Sequence, residues 1–151
     1  MASETGLSGI ADPKAASTLL IFVKNASALL FGFVFGPLLC LVPIITLLTN
    51  GLLLSAVSIM VGQEKSFVFL LGGILPHGIF ELPAFIIGEA AALSFSVMVI
   101  VALVKGELRK RFWPGLKHNA RYLVIALALL VPAAVIETFI TPLVLAWLMR
   151  G

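Results

Sequence analysis

Long apolar runs separated by short polar stretches dominate this chain. No charged residue occurs in the 37 residues from Ala26 to Gly62, and the 39 residues from Ser66 to Val104 contain no Lys, Arg or Asp. A membrane-spanning helix needs about 20 apolar residues, so each run has the length of a two-helix hairpin. The pattern predicts an all-α, polytopic helical membrane protein with about five spans, at 26–43, 44–62, 66–83, 84–104 and 122–149.

Prolines and glycines inside these runs predict broken helices. Proline lacks an N–H and disfavours helical backbone at the residue before it. We expect the turn of the second hairpin near Leu82-Pro83-Ala84, and a re-entrant half-helix ending at Pro76-His77-Gly78 is the alternative. Pro132 and Pro142 predict further breaks in the last span.

The first 25 residues are expected to precede the membrane domain, which comprises 26–149. Asp12-Pro13 is typical of a helix start, because Asp caps the first N–H groups and Pro suits the first helical position. The helix from Pro13 to Lys24 is too short and too mixed to span. It is expected either to lie in the interface as an amphipathic anchor or to form the wet end of the first span. No secretory signal is expected, because residues 1–12 contain no basic residue.

Composition supports the membrane class, and the charge distribution predicts an orientation. Hydrophobic residues make up 61% of the chain and charged residues 11%, whereas soluble domains carry about 25% charged residues. Six of the ten basic residues lie between Lys105 and Arg121. The positive-inside rule therefore predicts a cytoplasmic-membrane protein with this loop and the N-terminus in the cytoplasm and the C-terminus outside. The loop is interpreted as a topology signal that contacts lipid headgroups, not as a nucleic-acid site.

A layer of polar side chains is expected inside the membrane. Glu81, Glu89 and Glu137 each lie sixteen residues from a basic residue at the predicted cytoplasmic boundary, which is about 24 Å along a helix. Antiparallel spans would bring all three glutamates to one depth. The full predicted layer comprises Asn50, His77, Glu81, Glu89, Glu137 and Thr141.

Three interpretations of this layer remain open. The glutamates could be protonated and bonded to backbone carbonyls that the prolines free, because desolvation penalises the charged form of a carboxyl group. They could form a transport or proton-relay site, as ionisable residues in membranes often do. The third interpretation is a divalent metal site made of His77, Glu81 and Glu137, since imidazole and carboxylate both bind such ions. The pattern indicates no catalytic residue.

Four stretches resemble one protein family. The segment 75–84, Leu-Pro-His-Gly-Ile-Phe-Glu-Leu-Pro-Ala, closely resembles the signature of the stage II sporulation protein M family of small bacterial and archaeal membrane proteins. Supporting stretches are Phe22-Val23-Lys24-Asn25, Thr49-Asn50-Gly51 and the run from Ile136 to Pro142.

The resemblance implies five spans and a non-enzymatic role. In endospore formers the family member acts in a complex with peptidoglycan-degrading partners and organises the membrane. By this resemblance the chain is expected to be an integral membrane scaffold or complex subunit. A small transporter or ion-conducting protein is the first alternative and an intramembrane metal-binding protein the second. The expected partners are the lipid bilayer, other membrane proteins and further copies of the chain, with no nucleic acid.

Overall fold

The computed structural model describes residues 13–39, 41–64, 66–105, 110 and 112–150. Within these ranges the chain is helical, which confirms the all-α prediction. The tail 1–12, Lys65 and the loop residues 106–109 and 111, on which parts of the orientation argument depend, lie outside the described residues. The helices are α1 (Pro13–Leu39), α2 (Leu41–Glu64), α3 (Phe67–Val104), α4 (Phe112–Phe139) and α5 (Thr141–Leu148).

Helix α3 is the longest element and differs most from the sequence prediction. Ser66 caps it, and the Ser66 hydroxyl accepts a hydrogen bond of 3.2 Å from the Phe69 N–H. The helix then continues for 38 residues through Pro76 and Pro83. It therefore has neither the hairpin turn expected at 82–84 nor the break expected at 76–78. A proline forfeits one backbone hydrogen bond, whereas a turn in an apolar environment would leave several backbone groups without partners.

The boundaries of the other helices also differ from the predicted ones. Helix α1 continues from Pro13 without interruption past Lys24, so of the two alternatives for this segment it is the beginning of the first long helix and not a separate interfacial helix. Helix α4 begins at Phe112, so Lys117 and Arg121 belong to its first turns and not to a loop. Pro132 lies inside α4, and the helix continues through it.

One predicted break is present near Pro142. A turn at Ile140 separates α4 from α5, and Pro142 lies in the first turn of α5, where its missing N–H needs no helical partner. The Ile140 and Val144 N–H groups still bond to the Ile136 and Ile140 carbonyls at 2.9 and 3.0 Å. The two helices therefore form one nearly continuous rod.

Four helical segments are long and apolar enough to cross a membrane, against about five expected. They are Pro13–Pro37, Leu41–Met60, Phe67–Val104 and Phe112–Leu148, the last of which combines α4 and α5. The difference arises because the predicted third and fourth spans are halves of α3.

Contacts between the helices define an up-down-up-down bundle. Asn25 pairs with Glu81 and Phe33 stacks on Phe95 with ring centroids 4.8 Å apart, so α1 and α3 are parallel. The α4–α5 rod is antiparallel to α3, because Phe112 contacts Phe95 near one end and Leu148 reaches Gly72 near the other. Helix α2 is antiparallel to both, because its beginning lies beside the end of α1, at Pro43 and Gly36, and its end lies beside the beginning of α3, at Gly62 and Leu70.

Small residues allow α1, α3 and α4 to approach closely. Ala84, Gly88, Ala92 and Ser96 recur at every fourth position of α3, and all four are buried. A Cβ at Gly88 would lie 2.8 Å from Leu29 Cδ2 of α1 and 3.3 Å from Ala126 Cβ of α4. Such spacing is typical of helix packing in membranes, where van der Waals contact between close backbones drives association.

Helix α2 packs less tightly than the others. A Cβ at Gly51 would meet no atom within 4 Å, and large apolar side chains on this helix are exposed: Leu47, Leu48, Leu52, Leu53, Ile59 and Met60. In water such a surface would favour aggregation, whereas lipid covers it without cost. The loose contact leaves space between α2 and α3, and the candidate site lies there.

Candidate functional site: a polar cavity between the helices

Three ionisable side chains converge where α3 meets α4. His77 and Glu81 lie four residues apart on α3 and therefore share one face of the helix, and Glu137 approaches from α4. One possible ligand atom from each of the three residues lies within 4.8 Å of the other two. His77 Nε2 and Glu81 Oε2 are 3.7 Å apart, which is longer than a hydrogen bond. We call these three residues the His–Glu cluster.

Two asparagines complete the polar surroundings of the cluster. Asn25 of α1 donates a hydrogen bond from Nδ2 to Glu81 Oε1 at 2.9 Å. Asn50 of α2 donates to the Thr46 carbonyl at 2.9 Å, and its side chain is half-buried beside the cluster. The site is therefore assembled from α1, α2, α3 and α4, so its geometry depends on the whole bundle.

The cluster lines a cavity of about 430 Å³. This volume lies within the range of about 300–1,000 Å³ for ligand pockets. A second cavity of about 150 Å³ adjoins it, and Asn50, His77 and Glu81 line both. These three residues thus stand at the junction between the two cavities.

Charge in the larger cavity is unbalanced toward the negative. Glu81 and Glu137 contribute two carboxyl groups, and Lys24 of α1 contributes one ammonium group. With both carboxyl groups ionised and His77 neutral, the cavity carries an excess of one negative charge. Two carboxylates this close repel each other strongly in a medium of low dielectric constant. A proton or a bound cation would relieve that repulsion.

Glu89 does not belong to this cluster, which corrects the predicted single layer. The prediction assumed a turn near Pro83 that would fold Glu89 back to the depth of Glu81. In the straight helix Glu89 lies two turns further on, about 12 Å along the axis. It is 4% exposed, faces Gly32 of α1, and neither carboxyl oxygen has a hydrogen-bond partner among the described residues.

Two further residues of the predicted site lie outside the His–Glu cluster. Thr141 is buried and donates a hydrogen bond of 3.3 Å to the Ile136 carbonyl across the turn between α4 and α5. Gly78 lines the smaller cavity. The structure therefore brings together Asn50, His77, Glu81 and Glu137 and separates Glu89 and Thr141 from them.

Sequence reasoning missed Lys24 and Asn25 as parts of the site. Both fall in residues 1–25, the segment expected before the membrane domain as an interfacial helix or as the wet end of the first span. The available signal was the stretch Phe22-Val23-Lys24-Asn25, which lies in one uninterrupted helical run with the apolar residues that follow it.

Because the Glu89 carboxyl group is buried without a partner among the described residues, replacing Glu89 with Met should raise the unfolding temperature of the detergent-solubilised protein. The change keeps a similar volume and removes two buried oxygens that have no partner among the described residues. An unsatisfied buried polar group costs about 1–3 kcal/mol, and a gain of about 1 kcal/mol in the free energy of unfolding is expected. A clear loss of stability would show that Glu89 makes a stabilising contact.

Fold and site together define a class: a small polytopic helical membrane protein with a polar cavity between its helices. Residues 3–142 match the family described as Stage II sporulation protein M. The chain belongs to this family, which confirms the resemblance of segment 75–84.

Two relatives from Methanocaldococcus jannaschii are similar to this chain. The protein named Uncharacterized protein MJ0706 is 26% identical over 125 residues, covering 82% of this chain and 55% of the relative. Uncharacterized protein MJ0793 is 29% identical over 134 residues, covering 86% of this chain and 69% of the relative. The chain thus spans little more than half of the first relative's length. A comparison with solved structures found no match.

Proposed function

We propose that this protein binds a small cation within the membrane and conducts or transports it along the two adjoining cavities between α2 and α3. The observation that carries the proposal is the position of His77, Glu81 and Asn50 at the junction of both cavities. Ionisable residues inside membrane helices are expensive and usually mark such a path.

The length of the cavities supports a path. Their linings on α3 extend from Phe69 to Ile86, which is about 26 Å of helix. The hydrocarbon core of a bilayer is about 30 Å thick. A cation that enters the larger cavity meets Glu137 and Glu81 before it reaches the smaller one, where Phe85 and Ile86 form an apolar wall.

The groups in the path suit a cation or a proton. Asn25 occupies Glu81 Oε1, which leaves Oε2 to accept a proton or to contact a cation. His77 adds an imidazole, whose two ring nitrogens can donate or accept a proton. Glu137 on the facing helix provides a second acceptor, so a cation can pass between carboxylates without losing all its polar contacts.

Flux through proteoliposomes tests this proposal. The wild type should carry protons or small monovalent or divalent cations down an imposed membrane potential, and Glu81→Gln and Glu137→Gln should each lower the flux at least tenfold. Glu89→Gln is the matched control, because it makes the same change on the same helix outside both cavities and should leave the flux unchanged. Flux that equals that of protein-free vesicles, or that survives Glu81→Gln, would contradict the proposal.

A membrane scaffold or complex subunit is the second candidate. The exposed apolar side chains of α2 favour it, because this surface could contact other membrane proteins or a second copy of the chain as well as lipid. Family membership is compatible with that role. Stable co-purification of a partner that is lost when α2 is altered, together with absence of flux, would favour the scaffold over the conducting protein.

A further inference from the structure

We infer that the His–Glu cluster binds one divalent first-row transition metal ion, of which Zn²⁺ is the representative. This inference names the cation class of the proposed function and rests on it for any transport, although binding itself requires only the cluster. It begins from the convergence of His77, Glu81 and Glu137 on one point between α3 and α4.

The distances fit a shared ion. Ligand atoms about 2.1 Å from a tetrahedral metal ion lie about 3.4 Å apart. His77 Nε2 and Glu81 Oε2 are separated by 3.7 Å, and a Glu137 oxygen completes a set whose members lie within 4.8 Å of one another. A small rotation of the Glu137 side chain would bring the third donor into range.

Hydrogen bonding leaves the donor atoms available. Asn25 holds Glu81 through Oε1, so Oε2 is the oxygen that faces His77. Outer hydrogen bonds of this kind orient carboxylate ligands in metal sites. The Nδ1 atom of His77 is buried and has no hydrogen-bond partner in the described ranges. Nε2, the ring nitrogen that lies 3.7 Å from Glu81 Oε2, is the atom placed to bind the ion.

The donor set selects the class of metal. Ca²⁺ and Mg²⁺ prefer sites built from oxygen alone, and soft ions such as Cu⁺ prefer thiolate or thioether sulfur. One imidazole with two carboxylates suits Zn²⁺, Mn²⁺ or Fe²⁺. Three protein ligands also leave coordination positions for water or for exchange, as in an open zinc site, and the adjoining cavity provides room for them.

Charge favours a divalent ion. Two ionised carboxylates in the membrane interior are costly unless a partner neutralises them, and one divalent cation balances both. Lys24 lines the same cavity but is exposed, so its flexible stem can carry the ammonium group toward the surface. The ion would also join α3 to α4 across the point where Glu81 and Glu137 otherwise repel each other.

Metal binding by purified protein tests this inference. Protein stripped with chelator, loaded with Zn²⁺ and desalted should retain about one ion per chain by elemental analysis, and Zn²⁺ should raise its unfolding temperature by mass action. His77→Ala, Glu81→Gln and Glu137→Gln should each lose both effects. The two glutamine variants keep side-chain shape, so a folded variant without metal is interpretable.

Matched controls separate the site from adventitious binding. His118, the second histidine of the chain, is exposed on α4 and packs against Tyr122. His118→Ala and Glu89→Gln should retain the ion. In the Co²⁺-loaded wild type, visible absorption bands should be present that His77→Ala abolishes and His118→Ala leaves unchanged. No retained metal, or loss of metal in His118→Ala instead of His77→Ala, would overturn the inference.

The two proposals fail in different ways. Stoichiometric Zn²⁺ that depends on the cluster, without flux of any cation, would contradict the conducting function and support the metal site. Proton flux that depends on Glu81, without retained metal in the wild type, would support conduction and overturn the metal site.

Discussion

Cysteines placed at Ser66 and at Lys110 are expected to react with an impermeant thiol reagent from opposite sides of the membrane. Ser66 caps the N-terminus of α3, and Lys110 follows its C-terminus; both are exposed. The 38 residues between them form one helix, about 57 Å long, whereas the hydrocarbon core is about 30 Å thick. A helix of this length that crosses the bilayer once separates its two ends completely.

The predicted orientation follows from the basic residues around the second end of α3. Six of the ten basic residues lie between Lys105 and Arg121, so this end is expected in the cytoplasm. In intact cells, with Cys40 replaced by alanine, a cysteine at Ser66 should be labelled and one at Lys110 should be protected until the cells are permeabilised. The difference in labelling between the two cysteines should be all-or-none, because one continuous helix that crosses the bilayer cannot expose both ends on the same side.

A control comes from the antiparallel rod. The end of α5 lies beside the beginning of α3, since Leu148 reaches Gly72. Arg150→Cys should therefore behave like Ser66→Cys. Helix α1 is parallel to α3, so Ala16→Cys should also react from outside, which reverses the N-terminal orientation expected from five spans. Equal protection of Ser66→Cys and Lys110→Cys would instead require the hairpin at 82–84.

The helical content was predictable from the sequence, because a lipid environment imposes helical structure on each apolar segment separately. In an apolar medium each backbone group needs a partner within its own segment, so an uncharged run becomes helix whatever its neighbours. The course of α3 was not predictable in this way. Pro83 carries the same local signal in a turn and in a continuous helix, and the choice depends on packing against α4 and α5 along the entire length.

The composition of the site was predictable only in part. His77 and Glu81 share a helix face at a spacing of four, which the sequence gives directly. Glu137 lies beside them, but the depth argument that predicted this counted from one membrane boundary, whereas α3 and α4 begin at opposite ends of the bundle. For Glu89 the argument fails because it required the absent turn. Asn25 enters the site through the pairing of α1 with α3, and sequence spacing says nothing about that pairing.

The spacing of small residues on α3 and α1 is a sequence signal for the contact between these two helices. Ala84, Gly88, Ala92 and Ser96 share one face because they recur every four residues, and Gly32 and Gly36 repeat the spacing on α1. A Cβ at Gly36 would collide with Ser96 Oγ, and one at Gly32 would lie 2.9 Å from Glu89 Oε2. This spacing predicts which faces of the two helices meet.

Replacing Gly88 with leucine is therefore expected to produce the largest loss of stability of any single apolar substitution proposed for this bundle. Even an alanine Cβ at this position would lie 2.8 and 3.0 Å from the two terminal carbons of Leu29 and 3.3 Å from Ala126 Cβ. Leu29 and Ala126 are fully buried, so neither can move into open space. Overpacking of this kind costs about 1–3 kcal/mol and sometimes more, and Gly88→Leu should reach the upper end of the range.

Thermal or denaturant unfolding in detergent micelles measures the effect, and Gly51→Ala is its matched control. A Cβ at Gly51 meets no atom within 4 Å, and alanine is favoured over glycine in a helix by about 1 kcal/mol. Gly51→Ala should thus be neutral or stabilising, whereas Gly88→Ala should destabilise despite the same gain in propensity. Shortening Leu29 to alanine should reduce the cost of Gly88→Ala, because the two side chains then no longer compete for one space. If Gly88→Ala proves as stable as Gly51→Ala, α1 and α3 do not approach each other at Gly88, and the hydrogen bond from Asn25 of α1 to Glu81 of the His–Glu cluster loses its structural support.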